Sequence, residues 1–250
     1  MKSILIANWK MHPFTFRDAK KLFDATRQAA ERAVNVTVIV APPALYLREL
    51  AASYRGRRVA FAAQHAHYEP DGPHTGEISM RAYRDARASN VLIGHAERRA
   101  MGESNADTRK KVSAALAVGL TPVLCVGEQS RGGGGEHFTF VAAQLSEALL
   151  DVSDAKVSKV CIAYEPVWAI GAEKPMEPRQ MQEMAIFIRK KLVERHGQGA
   201  MHAKVLYGGS VDETNAAAML AQGDVGGLLA GRVSTDAARV GQLIETLSTL

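Results

Sequence analysis

Short, almost unbroken apolar runs recur along the chain, and each is followed by a longer stretch whose apolar positions return every three or four residues. Ile4 to Ala7, Val36 to Val40, Val91 to Ile93, Val123 to Val126, Val160 to Ala163 and Val205 to Tyr207 are of strand length and apolar at nearly every position. Side chains of a strand alternate between two faces, so runs of this kind predict strands buried on both. Val59 to Ala63 and Leu228 to Ala230 carry the same signal more faintly. Between the runs, Ala19, Leu22, Phe23, Thr26 and Ala30 repeat at helical spacing within 17–32, and Met181, Met184, Ala185, Ile188 and Leu192 do so later. Such stripes predict amphipathic helices packed on a core, the methionines serving as packing groups and not as a cofactor box.

Strands alternating with helices predict a parallel sheet. About eight strand-plus-helix units fit into 250 residues, which is the size and repeat number of a (β/α)8 TIM barrel in the α/β class. An open doubly wound sheet is the alternative, but no GxGxxG or GxxxxGK[ST] loop follows the first strand, as that fold's nucleotide sites require. No Pro/Gly/Ser-rich or single-sign stretch is long enough to separate two domains, so one domain over 1–250 is expected.

Composition narrows the function. The net charge of +5 suits attraction of a small anion, yet the basic residues are scattered over predicted helices such as 17–21 and 189–195, the pattern of solvated faces and not of a nucleic-acid surface. Cys125 and Cys161 are the only cysteines and lie inside apolar runs, so buried, reduced thiols are expected and no disulfide framework. The N-terminal MKSILIANWK lacks the layout of a signal peptide. No stretch approaches ~18 consecutive apolar residues, and a soluble, cytoplasmic protein without a membrane span is expected.

In a parallel barrel, reactive groups lie just past the C-terminal ends of the strands. Those positions hold Asn8 and Lys10 after the first run, His95 and Glu97 after the fourth, and Glu165 after the sixth. Gly208, Gly209 and Ser210 follow the seventh run, and Gly231 and Arg232 the eighth. A carboxylate, an imidazole, a cation and two small-residue loops therefore converge on one mouth. Glycine-rich loops at the last two strands bring backbone N–H groups toward a phosphate, so a small phosphorylated substrate is expected. The eight histidines include no HExxH or comparable ligand cluster, and neither metal nor cofactor is expected.

The segments ANWKMH, QHAHYEPDGPHTGEIS, VLIGHAERR, LCVGE, AYEPVWAIG and YGGSV, in that order along the chain from the segment around Asn8 to Val211, resemble the signature segments of the triosephosphate isomerase family. The resemblance implies that Glu165 is the base that moves a carbon-bound proton between adjacent carbons, a task for a carboxylate held away from water. It also implies that His95 donates a hydrogen bond to the enediolate as a neutral imidazole at a helix N-terminus, as known for the family. Lys10 would supply positive charge, and Asn8 would orient Lys10 and the substrate. Glu97 and Cys125 would support these groups from behind. Gly171, Ser210, Gly231 and Arg232 would bind the phosphate.

The run 166–176 matches the family's lid, with Pro166, Val167, Trp168, Ala169, Ile170, Ala172, Glu173 and Lys174 around the tip glycine. Closure of such a lid excludes water. The segment 64–79 is long for a connection; in the family it reaches into a partner subunit, which places Gln64 and Thr75 at a homodimer interface.

Departures from the family pattern are also legible. Ala96 stands where the family usually has a serine that bonds the resting glutamate, Ala172 and Glu173 replace a small polar residue and a glycine, and Pro175 stiffens the lid's far end. Arg232 takes the place of the second phosphate-loop glycine, and His12 replaces an asparagine. These leave room for an isomerase of a four-carbon ketose phosphate, or for a catalytically silent barrel acting as a binding protein.

Overall fold

The structure is a computed structural model that describes residues 2–170 and 176–250. Eight parallel strands close into a barrel: β1 (Ser3–Asn8), β2 (Val36–Ala41), β3 (Val59–Ala63), β4 (Asn90–Ile93), β5 (Thr121–Val126), β6 (Cys161–Tyr164), β7 (Lys204–Tyr207) and β8 (Gly227–Ala230). Each strand pairs with the next in chain order, and β1 closes the ring by pairing Ala7 with Ala230 of β8. The closed ring excludes the open doubly wound sheet. All eight predicted runs are strands. Several begin one or two residues before the apolar run does, because Asn90, Thr121, Lys204 and Gly227 enter the ladder as polar or small residues that hydropathy alone does not mark.

Around the barrel lie α1 (Phe16–Arg32), α2 (Ala44–Ser53), α3 (Met80–Asp85), α4 (Ala96–Ala100), α5 (Asn105–Ala117), α6 (Glu136–Ala148), α7 (Asp154–Val157), α8 (Pro178–His196), α9 (Ala216–Gln222) and α10 (Ala237–Ser248). Their starts are set by local chemistry. Thr15 accepts the Asp18 N–H at the head of α1, Ser104 and Asp107 form a reciprocal capping box on α5, and Pro178 opens α8, where its missing N–H is no loss. The stripes predicted on α1 and α8 are buried. No helix among the described residues is long and apolar enough to cross a membrane.

The core has two layers. Ile6, Leu92, Val123, Ala163, Leu206 and Leu229 point into the barrel, while their chain neighbours Leu5, Val91, Leu124, Ile162, Val205 and Leu228 pack outward on the helices. That period of two fixes what lies at the mouth. Continuing each strand's inward series by one more step reaches Asn8, Pro43, Gln64, Gly94, Gly127, Glu165, Gly208 and Gly231. The inner rim thus carries two amides, one proline and one carboxylate among glycines. A Cβ on Gly127 would sit 1.8 Å from the Glu165 carbonyl oxygen, and one on Gly208 2.8 Å from Glu165 Cγ. Only glycine at those two positions leaves space for Glu165.

Candidate active site

The β1 end is rigidly held. Asn8 is buried, and its Oδ1 accepts the Lys10 backbone N–H at 3.0 Å. Lys10 has φ +53°, a left-handed conformation that costs a non-glycine residue about 1 kcal/mol. The Asn8 amide on one side and Gln64 Nε2, which donates to the Lys10 carbonyl at 2.8 Å, on the other offset that cost. Lys10 Nζ in turn donates to Glu97 Oε1 at 2.5 Å. Glu97 is exposed and pairs with the lysine across the mouth.

His95 caps α4. Its Nδ1 accepts the Glu97 N–H at 3.2 Å, which requires a lone pair on that nitrogen and leaves the proton on Nε2. Nε2 lies 3.4 Å from Glu165 Oε1 and 3.4 Å from Asn8 Nδ2. Glu165 is 2 % exposed, and its Oε2 accepts the Ala96 backbone N–H at 2.9 Å. The other oxygen, Oε1, has no hydrogen-bond partner among the described residues. One carboxylate oxygen is therefore tethered and the other is available. Behind it sits the Cys125 thiol, whose pKa is pushed well up by burial first and by the neighbouring Glu165 charge second, so it stays protonated.

These groups line a cavity of about 270 Å³. Its inner end is formed by Asn8, Lys10, His95 and Glu165, and its outer end by the loops after β7 and β8, with Ser210, Gly231, Arg232 and Ile170 among the lining. The Cα of Gly231 lies close under the lysine: a Cβ there would meet Lys10 Cε at 3.1 Å. Ser210 Oγ donates to the Ala169 carbonyl at 2.9 Å, joining the β7 loop to the segment that follows Glu165.

That segment is anchored by a residue to which sequence reasoning assigned no role. Glu128 is 2 % exposed; it accepts the Tyr164 hydroxyl on both oxygens at 2.8 and 2.9 Å and Trp168 Nε1 at 2.8 Å, while its carbonyl accepts the Val167 N–H. Pro166 and the 3-10 turn Val167–Ala169 are thereby fixed to the barrel. The signal was its position two residues past β5, the same kind of strand-end position that drew attention to the others. Asp212 and Arg239 also line the outer end, and neither has a comparable sequence signature. Gly171, Ala172, Glu173, Lys174 and Pro175 lie outside the described residues.

The model of the family described as triosephosphate isomerase matches residues 3–247. The chain belongs to the triosephosphate isomerase family. Among similar proteins, the triosephosphate isomerase of Chlorobaculum tepidum is 42% identical over 241 residues, covering 93% of this chain and 96% of its own length. That of Pelobacter propionicus is 37% identical, covering 98% of this chain and 99% of its own length, and that of Endomicrobium trichonymphae is 35% identical with 98% of each covered.

Within the triosephosphate isomerase fold, the departure at Ala96 has a structural answer: the backbone N–H of residue 96, which no side chain alters, holds the resting Glu165. The long segment 64–79 is folded back on its own chain. His67 N–H donates to the Ile78 carbonyl at 2.9 Å, His65 Nε2 meets Glu77 Oε2 at 3.1 Å, and Gln64 is bound to Lys10 and Ala41. Thr75 is exposed on this segment.

Proposed function

We propose that this member of the family interconverts dihydroxyacetone phosphate and D-glyceraldehyde 3-phosphate, with Glu165 as the proton carrier. The observation that carries the reading is the buried Glu165 carboxylate, whose Oε1 has no hydrogen-bond partner among the described residues and lies 3.4 Å from the proton-bearing Nε2 of His95. Glu165 takes a proton from the carbon next to the substrate carbonyl, and the C–H electron pair moves into the carbonyl to form an enediolate. His95 Nε2–H and the Asn8 amide donate to its oxygens, and Lys10 offsets its charge. Glu165 returns the proton to the neighbouring carbon, and a hydroxyl proton moves between the two oxygens to complete the exchange. Preorganised donors of this kind typically lower a barrier by about 3–4 kcal/mol each.

The phosphate is held at the outer end by the N–H groups of Ser210, Gly231, Arg232 and Gly171, with residues 166–174 closing as a lid. Glu97 and Cys125 position the lysine and the base. No metal or cofactor takes part, and the protein works as a cytoplasmic, single-domain enzyme.

The working form is a homodimer with Gln64 and Thr75 at its interface. Met11, Phe14, Leu45 and Met101 support this: each is at least 75% exposed. The Tyr46 hydroxyl donates to the Phe14 carbonyl and ties the chain at residue 14 to α2, which carries Leu45. Large apolar side chains left at the surface suit a face that a partner covers.

A four-carbon ketose phosphate isomerase and a silent scaffold are not favoured, because the relatives across the whole chain are named triosephosphate isomerases. Coupled assays with the two triose phosphates and a four-carbon ketose phosphate, run side by side with and without EDTA, test the reading. Triose phosphate turnover indifferent to EDTA is expected; preference for the four-carbon substrate, or loss of activity restored by a divalent ion, would overturn it.

A further inference from the structure

The outer end of the cavity has an unusual charge balance. Three permanent cations line the cavity among the described residues: Lys10, Arg232 and Arg239. Lys10 is paired with Glu97. Arg239 is gripped by Glu213 through two hydrogen bonds, Nε to Oε1 and Nη2 to Oε2, both 2.9 Å. The Arg232 guanidinium makes no ion pair or side-chain hydrogen bond with any described residue; its carbonyl alone is engaged, by the Thr235 hydroxyl.

Opposing these is Asp212, which lines the same end. Its Oδ1 accepts the Thr214 N–H at 2.9 Å, the Thr214 hydroxyl at 2.6 Å and the Asn215 N–H at 3.1 Å. Burial works against its charge, but these donors prevail and hold its carboxyl below the usual range, so it is ionised at neutral pH. Counting Glu213, which does not itself line the cavity but pairs with Arg239, the described residues of the outer end hold two carboxylates against one paired arginine and one unpaired arginine. Without Arg232 this end is net negative, which would repel a phosphate dianion whatever N–H groups the loops present.

We propose that the Arg232 side chain is a phosphate-binding and specificity-determining group: left unpaired among the described residues, it offsets Asp212 and makes this cavity selective for dianionic substrates. This rests on the reading of the cavity as a triose phosphate site. It goes beyond that reading in assigning phosphate recognition to a guanidinium where the family pattern has a glycine and therefore only a main-chain N–H. A guanidinium presents several donors to phosphate oxygens, and Lys can replace its charge but not its fork. The consequence is coupling between residues 212 and 232: loss of the arginine is tolerable only when the aspartate's charge is lost too.

The test uses inorganic phosphate as the probe, by calorimetric titration and as a competitive inhibitor, on the wild type and on R232G, R232A, R232K, D212N and R232A/D212N. R232A retains the side-chain-bearing backbone, so agreement between it and R232G separates loss of charge from added chain flexibility. Expected are a weakening of phosphate binding by about tenfold or more in R232G and R232A, a smaller loss in R232K, tighter binding in D212N, and recovery of most of the loss in the double variant. The KM for glyceraldehyde 3-phosphate should follow the phosphate constants, and the kcat/KM preference for it over unphosphorylated glyceraldehyde should shrink about tenfold in R232A. Phosphate constants within twofold of wild type in R232G and R232A, or a double variant as weak as R232A, would overturn the proposal. A wild type that binds phosphate yet fails to turn over triose phosphates would instead sink the isomerase reading, while the titrations would still decide the role of Arg232.

Discussion

Ala96→Ser restores the hydroxyl that the family pattern places beside the base, and the structure fixes how much it can matter. Residue 96 is the first of α4, and its N–H already donates to Glu165 Oε2 at 2.9 Å. A serine hydroxyl would add a second donor on the same resting carboxylate. A hydrogen bond to a charged acceptor contributes about 1.5–3 kcal/mol, set against about 1–3 kcal/mol for withdrawing the hydroxyl from water. The net effect is therefore small, and it acts on the resting position of a side chain that must leave Ala96 N–H to reach substrate. We expect kcat/KM with glyceraldehyde 3-phosphate to rise by no more than about tenfold, or ~1.4 kcal/mol, measured in the coupled assay beside thermal unfolding as a check on folding. A hundredfold rise would refute the reasoning. It would mean that the backbone N–H does not position the base and that the natural chain is tuned to another substrate.

Glu128→Ala removes the common acceptor of Tyr164 and Trp168 and leaves the buried Tyr164 hydroxyl and the half-buried Trp168 N–H without it; a loss of about 2–4 kcal/mol is expected in denaturant unfolding, and a change below about 0.5 kcal/mol would show that water replaces the carboxylate. His65 has its pKa lowered from 6.5 by burial and then by Lys111 and Arg98, so the unfolded chain takes up the proton first. Stability should therefore fall as pH drops below about 6.5, and His65→Gln should flatten that slope; identical slopes in the two proteins would rule out this contribution. Mass photometry at micromolar concentration should give a species of twice the 27.0 kDa chain mass, and a fully active monomer would refute the dimer.

Much of the fold was legible because a barrel strand buried on both faces must be apolar at successive positions, as in Val36–Ala41 and Cys161–Tyr164. The inward series of each strand, carried one step further, then reaches Asn8 and Glu165, so two of the site groups follow from period alone. His95 follows differently: it lies outside that series, is marked in the sequence by its place just past the fourth run, and is held as the N-cap of α4. What hydropathy could not supply depends on contacts between segments far apart in sequence. Glu128 meets Trp168 across 40 positions and Ala96 meets Glu165 across 69. The pairing of Arg239 with Glu213, which leaves Arg232 as the unpaired cation of the cavity among the described residues, is likewise a fact of packing and not of pattern. Polar strand starts such as Asn90 and Lys204 were missed for the opposite reason: ladder hydrogen bonds are made by the backbone, and the side chain there need not be apolar.

Glu165→Gln tests the central claim most directly. The amide keeps the shape of the side chain and its ability to accept the Ala96 N–H, and it removes only the capacity to carry a proton. Paired measurements of turnover with glyceraldehyde 3-phosphate and of inorganic phosphate binding by calorimetry separate chemistry from recognition. The account predicts a turnover rate lower by about 10²–10⁴ with the phosphate dissociation constant within about threefold of wild type. A variant that retains more than a tenth of wild-type turnover would contradict it and place the base elsewhere in the barrel mouth.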